Sequence, residues 1–257
     1  MIYTFYRLFG WGMRQITGYM EDYWEMQGLD IAVPSFGHLS DLFAGLELRV
    51  KQRCGRLAKQ LASGEAVSIV VDSSGLSFGR ASQWYEEKYG KKAARTPWRK
   101  MHLSIDTLMN IHGIAITSTE VSDSEGLERV LPADIPMNQL TADGAYYSIE
   151  RAENLVEQGI LPVIPPPAHA VAHGASNTKV HDELVRYIGE KGIYAFQKKF
   201  GYGVRSLVEA QISRIKRCIG EVLLAQKLES QENEGVVIAN IINFWNSLGR
   251  PVCVKNA

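Results

Sequence analysis

The chain has 257 residues, 46% hydrophobic and 22% charged, a balance typical of a globular protein with room for one large domain or two small ones. Its 28 basic residues equal its 28 acids, so nucleic-acid binding cannot be argued from the total charge, and no apolar run reaches the roughly 18 residues of a membrane span. Cys54, Cys218 and Cys253 are too few and too scattered for a disulfide framework or a zinc site, and with no charged-then-apolar leader expected at the start they suggest a reducing cytoplasm.

In chain order, Tyr3 to Gly28 reads as one helix, with Leu8, Met13, Ile16, Met20 and Trp24 on an approximate apolar face and Gly28 as its stop. A turn at Pro34 and a cap at Ser35 open a second helix, and an amphipathic stretch from Val50 to Ala62 suggests a third. Residues 1–63 are therefore expected to form a small all-α module. The texture changes at Gly64, where Val67 to Val71 make a short apolar run that reads as a buried strand. Trp98 to Ser122 reads as two strands joined by a turn near Asn110–Gly113. A short helix over Ser124–Leu131, a strand at Met137–Tyr146, a helix capped by Ser148 and stopped by Gly159, and a strand ended by Pro165–Pro167 follow. A long irregular stretch then leads to a helix beginning at Gly201. This order predicts an α/β domain over 64–250 with a mixed five-stranded sheet.

Charge is unevenly distributed. Arg80 to Lys100 holds seven bases against Glu86 and Glu87, whereas Glu120 to Glu157 holds nine acids against Arg129 and Arg151. In Trp84–Lys100 aromatics alternate with Lys91, Lys92, Arg95, Arg99 and Lys100, a composition suited to a DNA backbone and its bases, or to a solvated connection. His169, His173 and His181 have near-zinc spacing, but the prolines and Gly174 place the first two in a loop.

Two strands end in aspartate, Asp72 and Asp143, where open α/β sheets tend to place ligands. Glu209, on a helix crossing the same sheet, would complete an acid cluster. Three carboxylates at one point repel one another, and a hard divalent cation such as Mg²⁺ or Mn²⁺ relieves that repulsion. Tyr202, Arg205, Glu209 and Lys216 fall on one helical stripe, next to an apolar stripe of Val208, Ile212, Ile215, Ile219 and Leu223. Tyr202 to Lys216 spans about 20 Å of helix, enough to follow several phosphates. Two structural roles remain open for Glu209: a capping box with Ser206, or an i,i+4 ion pair with Arg205.

The spacing Tyr202-x2-Arg205-x3-Glu209-x6-Lys216 resembles the Y-x2-R-x3-E-x6-K signature of bacterial insertion-sequence transposases of the DDE type, of the kind grouped as insertion-sequence families four and five. "VDSSGL" around Asp72 and "TADGAYYS" around Asp143 resemble the two aspartate strands of that family, and the resemblance runs from Gly64 to Trp245. It implies a ribonuclease-H-like fold, with Asp72, Asp143 and Glu209 as Mg²⁺ (or Mn²⁺) ligands and Tyr202, Arg205 and Lys216 on terminal DNA. It also implies endonucleolytic cleavage at element ends, strand transfer into target DNA, and a homodimer holding two ends. Three departures stand out. Tyr147 occupies a position that is acidic in many relatives. "FGHLSDLFAGL" carries Asp41 and no base before Arg49 where relatives have a basic recognition helix. Relatives also have more sequence ahead of the first helix, so an incomplete end-binding domain is expected. The alternative is a non-catalytic or truncated transposase-derived DNA-binding protein.

Overall fold

The structure, a computed structural model, describes residues 1–79, 90 and 97–248. Its sheet runs in the order β3-β2-β1-β4-β5, from strands β1 (Val67–Phe78), β2 (Trp98–Asp106), β3 (Ile111–Thr117), β4 (Met137–Thr141) and β5 (Leu161–Val163). β1, β2 and β3 are antiparallel neighbours, while β1, β4 and β5 run parallel. This mixed sheet is consistent with the ribonuclease-H-like expectation. A sixth strand of two residues, β6 (Val222–Leu223), pairs with the end of β1 and was not foreseen. The five expected strands are present, and β1 is longer than its apolar run because its polar half, Asp72–Ser77, pairs with β2 along its whole length.

Helices cover both faces. Val70, Leu76, Met101, Leu103 and Ile105 point from the sheet onto α9 (Ser206–Cys218) and α10 (Leu228–Ser247). The alternate residues Val67, Ile69 and Val71 face α4 (Gly55–Ala62), α5 (Asp123–Val130) and α6 (Ile149–Glu157). Period-two alternation along β1 thus sorts each side chain to one layer.

The expected first helix is two helices, α1 (Ile2–Phe9) and α2 (Met13–Met26). The break falls at Gly10, whose left-handed backbone (φ 66°) caps α1 as no side-chain-bearing residue does cheaply. Ser35 caps α3 (Phe36–Gly45) as expected, accepting a hydrogen bond from His38 N. The third helix begins at Gly55 rather than Val50. Asn240 and Asn243 of α10 bind the backbone of Arg49 and Lys51, holding that segment out of helical form. Two helices, α7 (Lys179–Lys191) and α8 (Ile193–Phe200), replace most of the expected irregular stretch. Glu153 accepts from the N–H groups of Val180 and His181 in the first turn of α7, and Asp182 gathers His173 N, Gly174 N and the Thr178 hydroxyl.

α10 joins the parts. It lies so close to β3 that a Cβ on Gly235 would sit 2.9 Å from Ile116 Cγ1. Its Val237 and Ile241 share a core with Tyr6, Ile16, Met20 and Phe43 of α1–α3. Its Glu234 is fully buried, paired with Arg7 of α1 at 3.3 Å, and accepts from the N–H groups of Leu224 and Ala225, while Arg7 donates to Gly220 O. Burial pushes the Glu234 carboxyl up and the Arg7 guanidinium down, each opposed by the partner's charge.

Two outcomes are expected from urea unfolding. Arg7→Met strands a buried carboxylate and should cost about 3–5 kcal/mol, with Arg7→Met/Glu234→Gln losing clearly less than the sum of the two single changes. The second concerns His102, which is wholly buried against Gly126 of α5, where a Cβ would overlap its ring. Desolvation lowers its pKa from the ordinary 6.5 to about 4. The unfolded chain therefore binds a proton that the folded one refuses. Stability attributable to His102, roughly 3 kcal/mol, is present above pH 6.5 and is lost as pH falls towards 4. His102→Gln should flatten that part of the pH profile.

Candidate active site

Parallel pairing sets the first two acids side by side. Ser68, Ile69 and Val70 of β1 lie opposite Gln139, Leu140 and Thr141 of β4. Continued by two residues, this register puts Asp143 alongside Asp72. Asp72 shares a face with Val70, so it points to the α9 layer. Its Oδ1 accepts from Ser73 N at 2.8 Å. Asp143 caps a single 3₁₀ turn (Gly144–Tyr146), accepting from Ala145 N at 3.1 Å. Glu209 sits in the first turn of α9, the helix that Val208, Ile212 and Ile215 pin to the same face.

The three acids meet on one guanidinium. Arg205 Nη1 is 3.6 Å from Asp72 Oδ2 and 3.4 Å from Asp143 Oδ2, and Nη2 pairs with Glu209 Oε1. Asp72 is the deepest of the three, its side chain 18% exposed against 45% for Asp143 and 48% for Glu209. Burial raises the Asp72 carboxyl above the usual carboxylate range. The Ser73 N–H and Arg205 oppose that shift, and Glu209 and Asp143 add to it. Of the two structural roles left open for Glu209, the i,i+4 pair is present and the capping box is not: Ser206 donates its hydroxyl to Gly203 O instead.

As arranged, no three acid, histidine or cysteine side chains among the described residues stand close enough together to hold a metal ion directly. The donor set nonetheless suits one: three carboxylates from three elements already gather round a single positive charge, and all-oxygen ligands favour Mg²⁺ or Mn²⁺.

The remaining expected residues divide. Tyr202 begins the 3₁₀ turn that carries Arg205, and it lines a largely apolar cleft of about 590 Å³ with Pro165, Pro166, Ile188 and Ile193. Burial pushes its phenol up, against the pull of Arg205. Because that turn is 3₁₀, the expected helical stripe starts at Ser206 rather than Gly201, and Leu223 lies in β6 rather than on the helix. Lys216 is half-buried on α9, about 10 Å along the helix from Glu209. Arg99 and Lys100 do not reach the acids. Arg99 Nε donates to Gln231 and its guanidinium stacks on Phe78, while Lys100 pairs with Asp123 at 3.4 Å and donates to Val121 O. Lys91, Lys92 and Arg95 lie outside the described residues.

Asp123 was missed by sequence reasoning. It accepts from the Ser73 hydroxyl on the opposite face of β1 and binds Lys100, so a second layer of charge backs the Asp72 strand. Its only signal was the Ser122–Glu125 capping box that places it in a helical first turn. Tyr147 donates to His181 Nδ1 at 2.7 Å, and His181 Nε2 donates to Val171 O. Desolvation pushes the Tyr147 phenol up to about 12. Both ring nitrogens of His181 are thus engaged with protein, which leaves none for zinc.

No solved structure matches the chain. Residues 63–244 match the family model described as the transposase DDE domain, a span that includes Asp72, Asp143, Glu209 and every strand of the sheet. The chain belongs to the transposase DDE domain family.

Proposed function

We propose that the protein is a DNA transposase that cleaves phosphodiester bonds at insertion-sequence ends and joins the freed 3′ end to target DNA. The observation that carries this reading is the convergence of Asp72, Asp143 and Glu209 on one positive charge within a transposase DDE domain. The three acids would hold Mg²⁺ or Mn²⁺, which when bound neutralises phosphate charge and makes a coordinated water or hydroxyl more acidic.

The chain's own residues supply position and charge. The Ser73 and Ala145 N–H groups fix one oxygen each of Asp72 and Asp143, leaving the other oxygens turned to the shared point. Arg205 offers a planar fork to a phosphate, and Lys216, two turns along α9, meets a more distant one. Tyr202 presents a ring at the mouth of an apolar cleft, where an unpaired base can stack. Joining both ends of an element to one target needs two such sites, so the working assembly is a homodimer carrying two DNA ends, and its substrate locates it in the cytoplasm. On this reading residues 64–250 are the catalytic domain and residues 1–63 a helical module beside it. Arg7 and Phe43 dock that part on α10. Arg99 and Lys100 act by bracing the start of β2 against α10 and α5 rather than by touching the acids.

The deciding assay is strand cleavage and joining on DNA bearing the parent element's ends, with Mg²⁺ or Mn²⁺. Asp72→Asn, Asp143→Asn and Glu209→Gln should each cut the cleavage rate by about 10²–10³-fold or more while DNA binding persists. Binding by the wild-type protein with no metal-dependent cleavage would instead assign it as a non-catalytic end-binding protein. Lys216→Ala should weaken DNA binding evenly across sequences and reduce the slope of log affinity against log salt by about 1, read by fluorescence anisotropy over a salt series.

A further inference from the structure

Among the described residues Arg205 is the one cation paired with Asp72, Asp143 or Glu209. A divalent ion and this guanidinium cannot share the point where the acids meet, because they repel each other and compete for the same oxygens. Arg205 is loosely seated. Its contacts of 3.6 and 3.4 Å to Asp72 and Asp143 exceed the ~2.7–2.9 Å of a charge-assisted hydrogen bond, and only the Glu209 pair is close. Its side chain is 25% exposed, on a four-residue 3₁₀ turn that follows Gly201 and contains Gly203. The tip can therefore swing without disturbing a strand or α9. The Tyr202 ring, 5.9 Å from Arg205 Cζ, gives it a face to turn on. One positive charge also leaves three carboxylates under-compensated.

We infer that Arg205 is a displaceable stand-in for the metal. In the DNA-free protein it holds the three carboxylates together; an arriving phosphate draws its guanidinium off, and a divalent cation takes the position it leaves. Phosphodiester and metal therefore bind with positive coupling. This rests on the reading of the acids as metal ligands. The exchange is driven from both sides. A guanidinium fork matches phosphate oxygens bidentately, and a phosphate cannot approach three carboxylates without a cation between them. By linkage, whatever factor DNA adds to metal affinity, metal adds to DNA affinity. A transposase so built assembles its reactive centre on bound DNA.

The test counts free Mn²⁺ by electron paramagnetic resonance while the full chain is titrated, with and without a short DNA duplex as the phosphate probe. Wild type is compared with Arg205→Met, Arg205→Lys and Asp143→Asn, the last defining binding that depends on the acid cluster. Without DNA, Arg205→Met should bind Mn²⁺ about tenfold more tightly than wild type, and Arg205→Lys should stay near wild type. The duplex should tighten cluster-dependent Mn²⁺ binding in wild type and leave Arg205→Met unchanged. Equal or weaker binding by Arg205→Met, with Asp143-dependent binding intact, overturns the stand-in role and leaves the acids as ligands. A wild-type affinity that the duplex does not move overturns it without relying on any variant at Arg205. If no Mn²⁺ binding depends on Asp143 in any protein, both the stand-in role and the metal reading beneath it fall.

Discussion

Parallel pairing of β1 with β4, Val70 opposite Thr141, brings two carboxylates to adjacent strand ends, and much of the remaining structure balances the charge this creates. Adjacent acids at a partly buried point repel each other and lose hydration. The Ser73 and Ala145 amides each take one oxygen, Arg205 takes the others, and Glu209 enters from α9 as a third acid on the same cation. On the far face of β1, Asp123 and Lys100 form a separate pair beneath Ser73. Strand alternation keeps the two charge systems apart, one per face of the sheet.

The two systems differ in what they can do. Lys100 and Asp123 match one charge with one, and Lys100 is further held by Val121 O, so the pair braces the strand. Arg205 faces three acids with one charge and makes long contacts to two of them. A balanced pair is a strut. An unbalanced one keeps negative charge that a single guanidinium does not offset.

Legibility of the fold followed the kind of side chain that each element buries. The β1 run of Val67, Ile69, Val70 and Val71, the Ser148-capped helix and the apolar stripe of α9 were readable because they bury aliphatic residues at a regular period. α10 was not, since Gln231, Asn233, Glu234 and Asn243 are buried in it and bind backbone groups outside the helix. The same helix buries Val237, Ile238, Ile241 and Ile242, so these polar residues break up its apolar pattern rather than replace it. Pro165–Pro167 and Gly174 hid α7 and α8 by suggesting a loop, although Glu153, from α6, accepts from the first-turn N–H groups of α7, which no side chain at its own N-cap does. At the site, each acid was visible as a strand-ending or stripe residue. That Arg205 serves all three was not, because it depends on the β1–β4 register and not on any spacing within one segment.

α10 supplies side chains to the N-terminal helices, the 49–51 segment, β3 and the β6 region. It carries none of the acids. A copy of this chain cut short before Leu228 would still carry Asp72, Asp143 and Glu209. It would have no floor beneath β3 and no partner for Arg7. Matching the three acids alone would count that copy as whole, although four parts of the fold would have lost the helix they share. In this chain a helix that carries no acid of the cluster is what ties those parts into one unit.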